Sequence, residues 1–301
     1  MKKTRPTLRK IKIIILCLIA AFLLWLLWSL FSHQMPWQRN RQTTKQLKVM
    51  TYNTQAMGIE QNNEQRQQML QYINDLDADV VCMQEVLVYK NEKLLTLAKL
   101  RAAMSNYPYT YYDFKLYNSK RQFGNVVFSR YPLINKQTIR FKSKANISSQ
   151  CDILAFGDTI RLIVNHLESF HFNKEDLNLE EITNSFQESR FGRKLIQANH
   201  LRRKQVTALC QAIRQSPHPV IVVGDFNSLP ISLVYWQMNM GLRDCFAESS
   251  FGRYGSTYRR GFMRARIDYI FHSRKLKAIE CKIGEENYSD HYPLIGTIGW
   301  D

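Results

Sequence analysis

Asn53, Glu85, His166, Asp225 with Asn227, Asp268, and Asp290 with His291 are polar side chains set at or beside the ends of apolar, β-rich runs. The run Pro219-Val-Ile-Val-Val-Gly224 is the clearest, because it stops at Asp225 and Asn227. Two residues apart in extended chain, these side chains project to the same side and can converge on one ligand. Taken alone, Gly224-Asp225-Phe226-Asn227 reads equally as a turn, since Gly, Asp and Asn all favour turns. As a set, carboxylates and carboxamides without cysteine are hard oxygen donors, suited to Mg²⁺ or Mn²⁺ rather than zinc. Such an ion polarises a phosphoryl oxygen, stabilises a leaving oxyanion and helps deprotonate water. That chemistry needs no covalent nucleophile.

Each residue also has a purely structural alternative. Asn53 closes a turn after its strand, Glu85 is a solvated strand end, His166 is a hydrogen-bonded core residue, and Asp268 partners Arg266 nearby.

The elements that must position these groups follow from periodicity. Strands are predicted at Leu47–Asn53, Ala78–Glu85, from Gly124, at Ile153–Phe156, Arg161–Leu167, from Pro219, at Arg266–Phe271 and at Leu294–Ile298, several apolar enough to be buried on both faces. Helices are predicted at Asn63–Leu76, Asn91–Ser105 and Leu201–Gln215. Phe170–His200, with acids early and bases late, reads as a solvated helical insertion. The pattern supports an α/β or α+β class.

The formal charge of +17 is not spread evenly: residues 1–48 hold ten Lys or Arg and no acid, which leaves 32 bases against 25 acids for the remainder. From Ile13 to Phe31 nineteen residues carry no charge. At about 1.5 Å per residue they nearly match a hydrocarbon core of roughly 30 Å. The apolar run is longer than that of a signal peptide, and Ser-His-Gln-Met-Pro-Trp offers no small-residue cleavage site. The expected organisation is a basic cytoplasmic N-terminus (1–12), a single-pass transmembrane anchor (13–31), a linker (32–46) and a catalytic domain (47–301). Six basic residues before the span against four after it place the domain on the non-cytoplasmic side of an inner or plasma membrane. Five cysteines outside the span, widely separated, argue against a disulfide framework and show no zinc spacing.

Tyr52-Asn53, Gln84-Glu85, Asn165-His166-Leu167, Gly224-Asp225-Phe226-Asn227, Arg266-Ile267-Asp268-Tyr269 and Ser289-Asp290-His291, in this order, resemble the motifs of the endonuclease/exonuclease/phosphatase superfamily. The resemblance runs over roughly residues 47 to 300. It implies a four-layered α/β sandwich of two mostly antiparallel sheets flanked by helices. It further implies Mg²⁺ or Mn²⁺ at Glu85, with Asn53 and Asp290 as ligands or ligand-orienting groups. Asp225 would activate water, Asn227 and His166 would bind the scissile phosphate, and His291, oriented by Asp268, would stabilise charge or act as acid/base. The expected partner is a phosphate-ester substrate, either a nucleic acid, a phospholipid headgroup or a small ester, and no obligate protein partner is called for. The Lys and Arg residues at 202–204, 253, 259, 260, 264 and 266 could contact a polyanionic backbone or an anionic leaflet. A membrane-tethered binding domain that keeps the scaffold without catalysis is the alternative.

Overall fold

The structure is a computed structural model that describes residues 15–24, 43–58, 63–92, 94–141, 143, 146–170, 183, 185, 187–249, 255–260, 263–286 and 288–301. Of the expected anchor, residues 15–24 form helix with side chains exposed, and the rest of 13–31 lies outside the described residues. No helix among the described residues is long and apolar enough to cross a membrane.

Two six-stranded sheets carry the fold. The first comprises β1 (Lys45–Asn53), β2 (Val80–Tyr89), β3 (Tyr109–Asn118), β4 (Arg121–Ser129), β13 (Lys277–Ile283) and β14 (Leu294–Trp300), in the order β13-β14-β1-β2-β4-β3. The second comprises β5 (Leu133–Arg140), β6 (Ile147–Ala155), β7 (Asp158–His166), β8 (Val220–Asp225), β9 (Arg243–Asp244) and β12 (Asp268–His272), in the order β5-β6-β7-β8-β12-β9. A ribbon of β10 (Tyr258–Arg260) and β11 (Met263–Ala265) stands apart. Besides residues 15–24 and a short turn at Gln55–Gly58, the helices among the described residues are α1 (Asn63–Asp75), α2 (Leu97–Ala103), α3 (Arg190–Arg214), α4 (Leu233–Gly241) and α5 (Cys245–Ser249).

Alternation within the apolar runs builds the layers. Leu47 and Val49 of β1, Val80 and Cys82 of β2, and Ile221 and Val223 of β8 meet between the sheets. Their neighbours Met50, Val81 and Met83 point outward onto α1 and α2, where Met69, Ile73 and Leu100 complete a second core. Val220 and Val222 point the other way, onto Val206 and Leu209 of α3 and Val234 and Met238 of α4. The result is two mixed sheets face to face with helices outside each. Covering both faces explains why these strands are uninterrupted apolar runs rather than alternating ones. Each fully buried Val or Leu contributes roughly 1.5–3 kcal/mol.

Both sheets are antiparallel except for one pair at the centre of each, β1 with β2 and β7 with β8. All four of these strands finish at the same end of the sandwich, and each finishes on or near a predicted site residue.

Several expectations need correction. The expected helix at Asn91–Ser105 shrinks to α2, which starts on an N-cap in which the Thr96 hydroxyl accepts from the Lys99 amide. Phe170–His200 is not a separate insertion throughout. Residues 171–182 lie outside the described set, and from Arg190 the chain is already in α3, a single helix of 25 residues. Ser189 caps it by accepting from the Gly192 amide, a boundary that charge segregation conceals. The Tyr-rich stretch after Tyr107 is strand β3, and β5, β13, α4 and α5 had no periodicity clear enough to predict. All six cysteines are free.

Candidate active site

Register brings the key groups together. In the parallel pair His166 lies opposite Asp225, and in the antiparallel pair on its other side Asp225 lies opposite Asp268. Asp225 is therefore the middle member of a three-strand row, buried between a histidine and a second acid. From the facing sheet, Asn53 ends β1 opposite Gln84.

Glu85 reaches the same place by an irregularity. The pairing of β2 with β4 slips between Met83 and Val86, and Glu85 adopts a left-handed φ of 56°. A bulge of this kind re-aims a side chain that regular pleating would send elsewhere. Asn53 Nδ2 then donates to Glu85 Oε1 at 3.2 Å and to Asp225 Oδ2 at 3.0 Å, tying the two sheets together. His166 Nε2 sits 3.2 Å from Glu85 Oε1.

His291 enters on the loop before β14. Its Nδ1 donates to Asp268 Oδ2 at 2.9 Å, while its Nε2 lies 3.7 Å from Asp225 Oδ2. Burial pushes the imidazole down, but the charges of Asp268 and Asp225 outweigh it and raise it to about 10. Asp225 is pushed up to about 6 by burial first and the charge of Asp268 second, against the pull of His291 and His166. Burial also pushes Glu85 up, yet the hydrogen bond and charge of His166, with Asn53 adding, hold its carboxyl at about 2. His166 is correspondingly raised, burial opposing and Glu85 prevailing.

The donor set fits a hard divalent cation at Glu85. That carboxylate is held ionised, and its side chain stays partly exposed at the mouth of the site. Asp290 is half-buried beside it, its carboxyl raised by burial and, against the pull of His291, by the charge of Glu85. Two carboxylates that repel each other are relieved by a cation between them. Asp225, Asp268 and His291 also bring one ligating atom each within 4.8 Å of one another. In this arrangement His291 donates from Nδ1 to Asp268 and faces Asp225 with Nε2, so that when both ring nitrogens are protonated the trio is a charge-bearing donor between two acceptors.

Asn227 is turned inward. Its side-chain amide donates to Leu167 O at 3.1 Å and Asp225 Oδ2 at 3.2 Å, and its backbone amide donates to Asp225 Oδ1 at 2.7 Å. In this state it orients Asp225; a contact to phosphate requires the amide to exchange one of these bonds.

Two basic residues read as polyanion contacts prove to be interior. Arg266 is buried, paired with Asp244 Oδ2 at 2.5 Å and flanked by the rings of Tyr269 and Phe246. Asp268 therefore partners His291, not Arg266. Arg202 is buried too: it donates to Asn227 O at 2.6 Å, Glu168 O at 3.2 Å and Asn199 Oδ1 at 2.6 Å. It clamps the loop after β7, which follows directly on His166, to the loop after β8, which carries Asn227. Beside it Gln205 Oε1 accepts from the Glu168 amide at 2.9 Å.

Other supporting residues had no assigned part. Thr257 Oγ1 accepts from the amides of Ile267 and Asp268, both at 3.0 Å, and nothing in its local sequence marks it. Ser289 Oγ donates to Asn53 O at 2.9 Å and accepts from the His291 amide at 3.1 Å; its place in the Ser289-Asp290-His291 motif was the available signal. Gln55 opens three consecutive left-handed residues, Gln55, Ala56 and Met57. Its amide donates to Asn53 Oδ1 at 3.0 Å and its Oε1 accepts from the Asp290 amide at 3.3 Å. Such backbone costs on the order of 1–2 kcal/mol per residue, and here it fixes two groups of the site.

Comparison with known proteins agrees with this geometry. The sequence profile of the endonuclease/exonuclease/phosphatase family matches residues 50–291. Among solved structures, the endonuclease/exonuclease/phosphatase from Beutenbergia cavernae is similar with a TM-score of 0.65 at 16% identity, over 85% of this chain and 72% of that one. Truncated Caenorhabditis elegans TDP2 is similar with a TM-score of 0.63 at 18% identity, over 85% and 98%. The human nocturnin catalytic domain gives 0.60 at 18% identity, over 88% and 97%. A search of curated protein sequences returns no match. At these identities the structural likeness establishes the fold, and the profile establishes the lineage: the chain belongs to the endonuclease/exonuclease/phosphatase family.

Proposed function

We propose that this protein is a membrane-anchored, Mg²⁺- or Mn²⁺-dependent phosphoesterase that hydrolyses a phosphodiester or phosphomonoester by direct attack of water. The observation that carries the reading is the convergence of Asn53, Glu85, His166, Asp225, Asp268 and His291 from two sheets onto one end of the sandwich. The fold-similar nocturnin domain holds a sulfate anion, which has the tetrahedral shape of a phosphate.

Glu85, with Asp290 and Asn53 beside it, would hold the cation, which supplies charge to the phosphoryl oxygens and the leaving oxygen when bound. Asp225 accepts the proton of the attacking water on its carboxylate, whose raised affinity for a proton suits a base working near neutrality. Asn53 and Asn227 fix that carboxylate. His291 keeps its Nδ1 proton on Asp268 and presents its Nε2 proton toward the phosphate. His166 and a reoriented Asn227 are further donors to phosphoryl oxygens. Charge placed before the reaction begins contributes most to transfers of this type.

The substrate is a nucleic acid, a lipid headgroup or a small phosphate ester; the segment at 13–31 would tether the domain on the non-cytoplasmic face. The deciding experiment is hydrolysis of bis(p-nitrophenyl) phosphate by the purified full chain with Mg²⁺, with EDTA, and with Asp225→Asn. Activity that survives chelation or the substitution sinks the mechanism. Absence of Mg²⁺ binding by calorimetry would turn the assignment to a silent binding domain.

A further inference from the structure

Helix α4 is apolar on both sides. Val234, Tyr235 and Met238 are buried against the second sheet. On the outward face Leu233 is 66% exposed and Met240 71% exposed, seven residues apart and so on one stripe, with half-buried Trp236 between them. The loop leading into the helix prolongs the stripe: Leu229 is 44% exposed and Ile231 51%. Leu229 stands two residues after Asn227 in that same loop. A helix at a protein surface ordinarily shows polar residues outward, and an exposed apolar stripe of this extent marks a surface that meets a partner.

Both ends of the stripe are basic. Arg202 reaches Asn227 O just ahead of α4, and Gln237 Nε2 donates to Thr207 Oγ1 at 3.5 Å, so α3 and α4 run side by side in the same direction. Exposed Arg203 and Lys204 therefore lie level with the start of α4. At the far end Arg274 donates to Met240 O at 3.3 Å, with Arg243 and Lys275 also exposed.

We propose that this stripe docks onto an anionic lipid bilayer, α4 lying in the headgroup layer with the candidate site opening at its edge. Apolar side chains flanked by cations are the chemistry of an interfacial helix. Nucleic acid would account for the cations but leaves Leu229, Ile231, Leu233 and Met240 in water; a second copy would bring like charges together at both ends. The proposal rests on the tether at 13–31, which keeps a bilayer within reach. Residues 32–44 span at most roughly 45 Å at about 3.5 Å each, more than the roughly 30 Å length of β1, which separates the tether from the site end.

The test uses the full chain reconstituted into vesicles of phosphatidylcholine alone or mixed with phosphatidylglycerol, read by amide hydrogen exchange over residues 229–240. Docking predicts exchange slowed about tenfold in the anionic vesicles, relieved by high salt and by the triple variant Leu229→Ser/Ile231→Ser/Leu233→Ser. The variant should keep its melting temperature and its hydrolysis of bis(p-nitrophenyl) phosphate. Should it fold poorly, Arg203→Glu/Lys204→Glu must give the same relief. Equal exchange in both vesicles overturns the proposal. So does protection that appears only with added nucleic acid, or that grows with protein density as a second copy would require. Retention through an alkaline carbonate wash reports on the tether separately, and the soluble-substrate assay on the phosphoesterase.

Discussion

Asp268 Oδ2 accepts from His291 Nδ1 at 2.9 Å, both side chains are buried, and the other ring nitrogen of His291 lies 3.7 Å from Asp225 Oδ2. The contact joins β12 to the loop before β14, so it links the two sheets as well as setting a protonation state.

Removing that acid should move the pH profile in a defined direction. Asp268 is the main group raising His291 from its ordinary value of 6.5 to about 10, against the opposing effect of burial. The imidazolium is thus present in the native protein well above neutrality. In Asp268→Asn the ring falls toward its ordinary value, and the alkaline limb of kcat/KM moves to lower pH. Activity at neutral pH drops on the order of 10²-fold. An alkaline limb that stays in place would show that His291 carries no essential proton.

Asp225 sets the acid limb. Its carboxyl is raised to about 6 by burial and by Asp268, so the base is lost as pH falls below that value. We expect kcat/KM to decline below about pH 6, and Asp225→Asn to lower it on the order of 10²–10⁴-fold with its melting temperature little changed. A variant with near wild-type turnover would remove Asp225 from the chemistry.

Arg202 is a positioning residue acting through the carbonyls of Asn227 and Glu168. Lysine offers a point charge instead of a planar fork and cannot serve both carbonyls and Asn199 at once. Arg202→Lys should cost about 2–3 kcal/mol in urea unfolding, because buried acceptors lose their donor. It should also lower kcat more than it raises KM. Unchanged kcat alongside the stability loss would leave Arg202 a purely architectural residue.

Gly224 has a φ of +129°, and a Cβ there would meet Asn165 O at 2.0 Å, a backbone atom that cannot give way. Gly224→Ala should cost about 3 kcal/mol or more and leave little soluble protein. Gly157, with φ +83° and nothing within 4 Å of a Cβ, is the control. Its alanine variant should lose only about 1 kcal/mol and express normally.

Asp152 and Arg161 make a second, structural pH effect. Asp152 is buried and accepts from Arg161 and, at 2.8 Å, from Asn135; these donors outweigh burial and hold its carboxyl below the ordinary value of 3.8. A depressed native value means that the contribution is complete above about pH 4 and is lost as pH falls through the native value. Asp152→Asn should therefore melt lower than wild type at pH 7, with the gap narrowing on acidification. A constant gap from pH 7 to pH 3 would contradict the linkage.

The order of apolar runs and the polar residues ending them were legible in the sequence, because strands buried on both faces must be continuously apolar and a side chain at their end must be tolerated by the fold. That determined the family resemblance and nominated Asn53, Glu85, His166, Asp225, Asn227, Asp268, Asp290 and His291. What they do to one another was decided only in three dimensions. Register set Asp225 between His166 and Asp268, and a bulge turned Glu85 into the site. Burial turned Arg202 and Arg266 from apparent surface charges into internal clamps. Periodicity reports which face a residue takes within its own element; it carries no information about which other element, hundreds of residues away, comes to lie opposite.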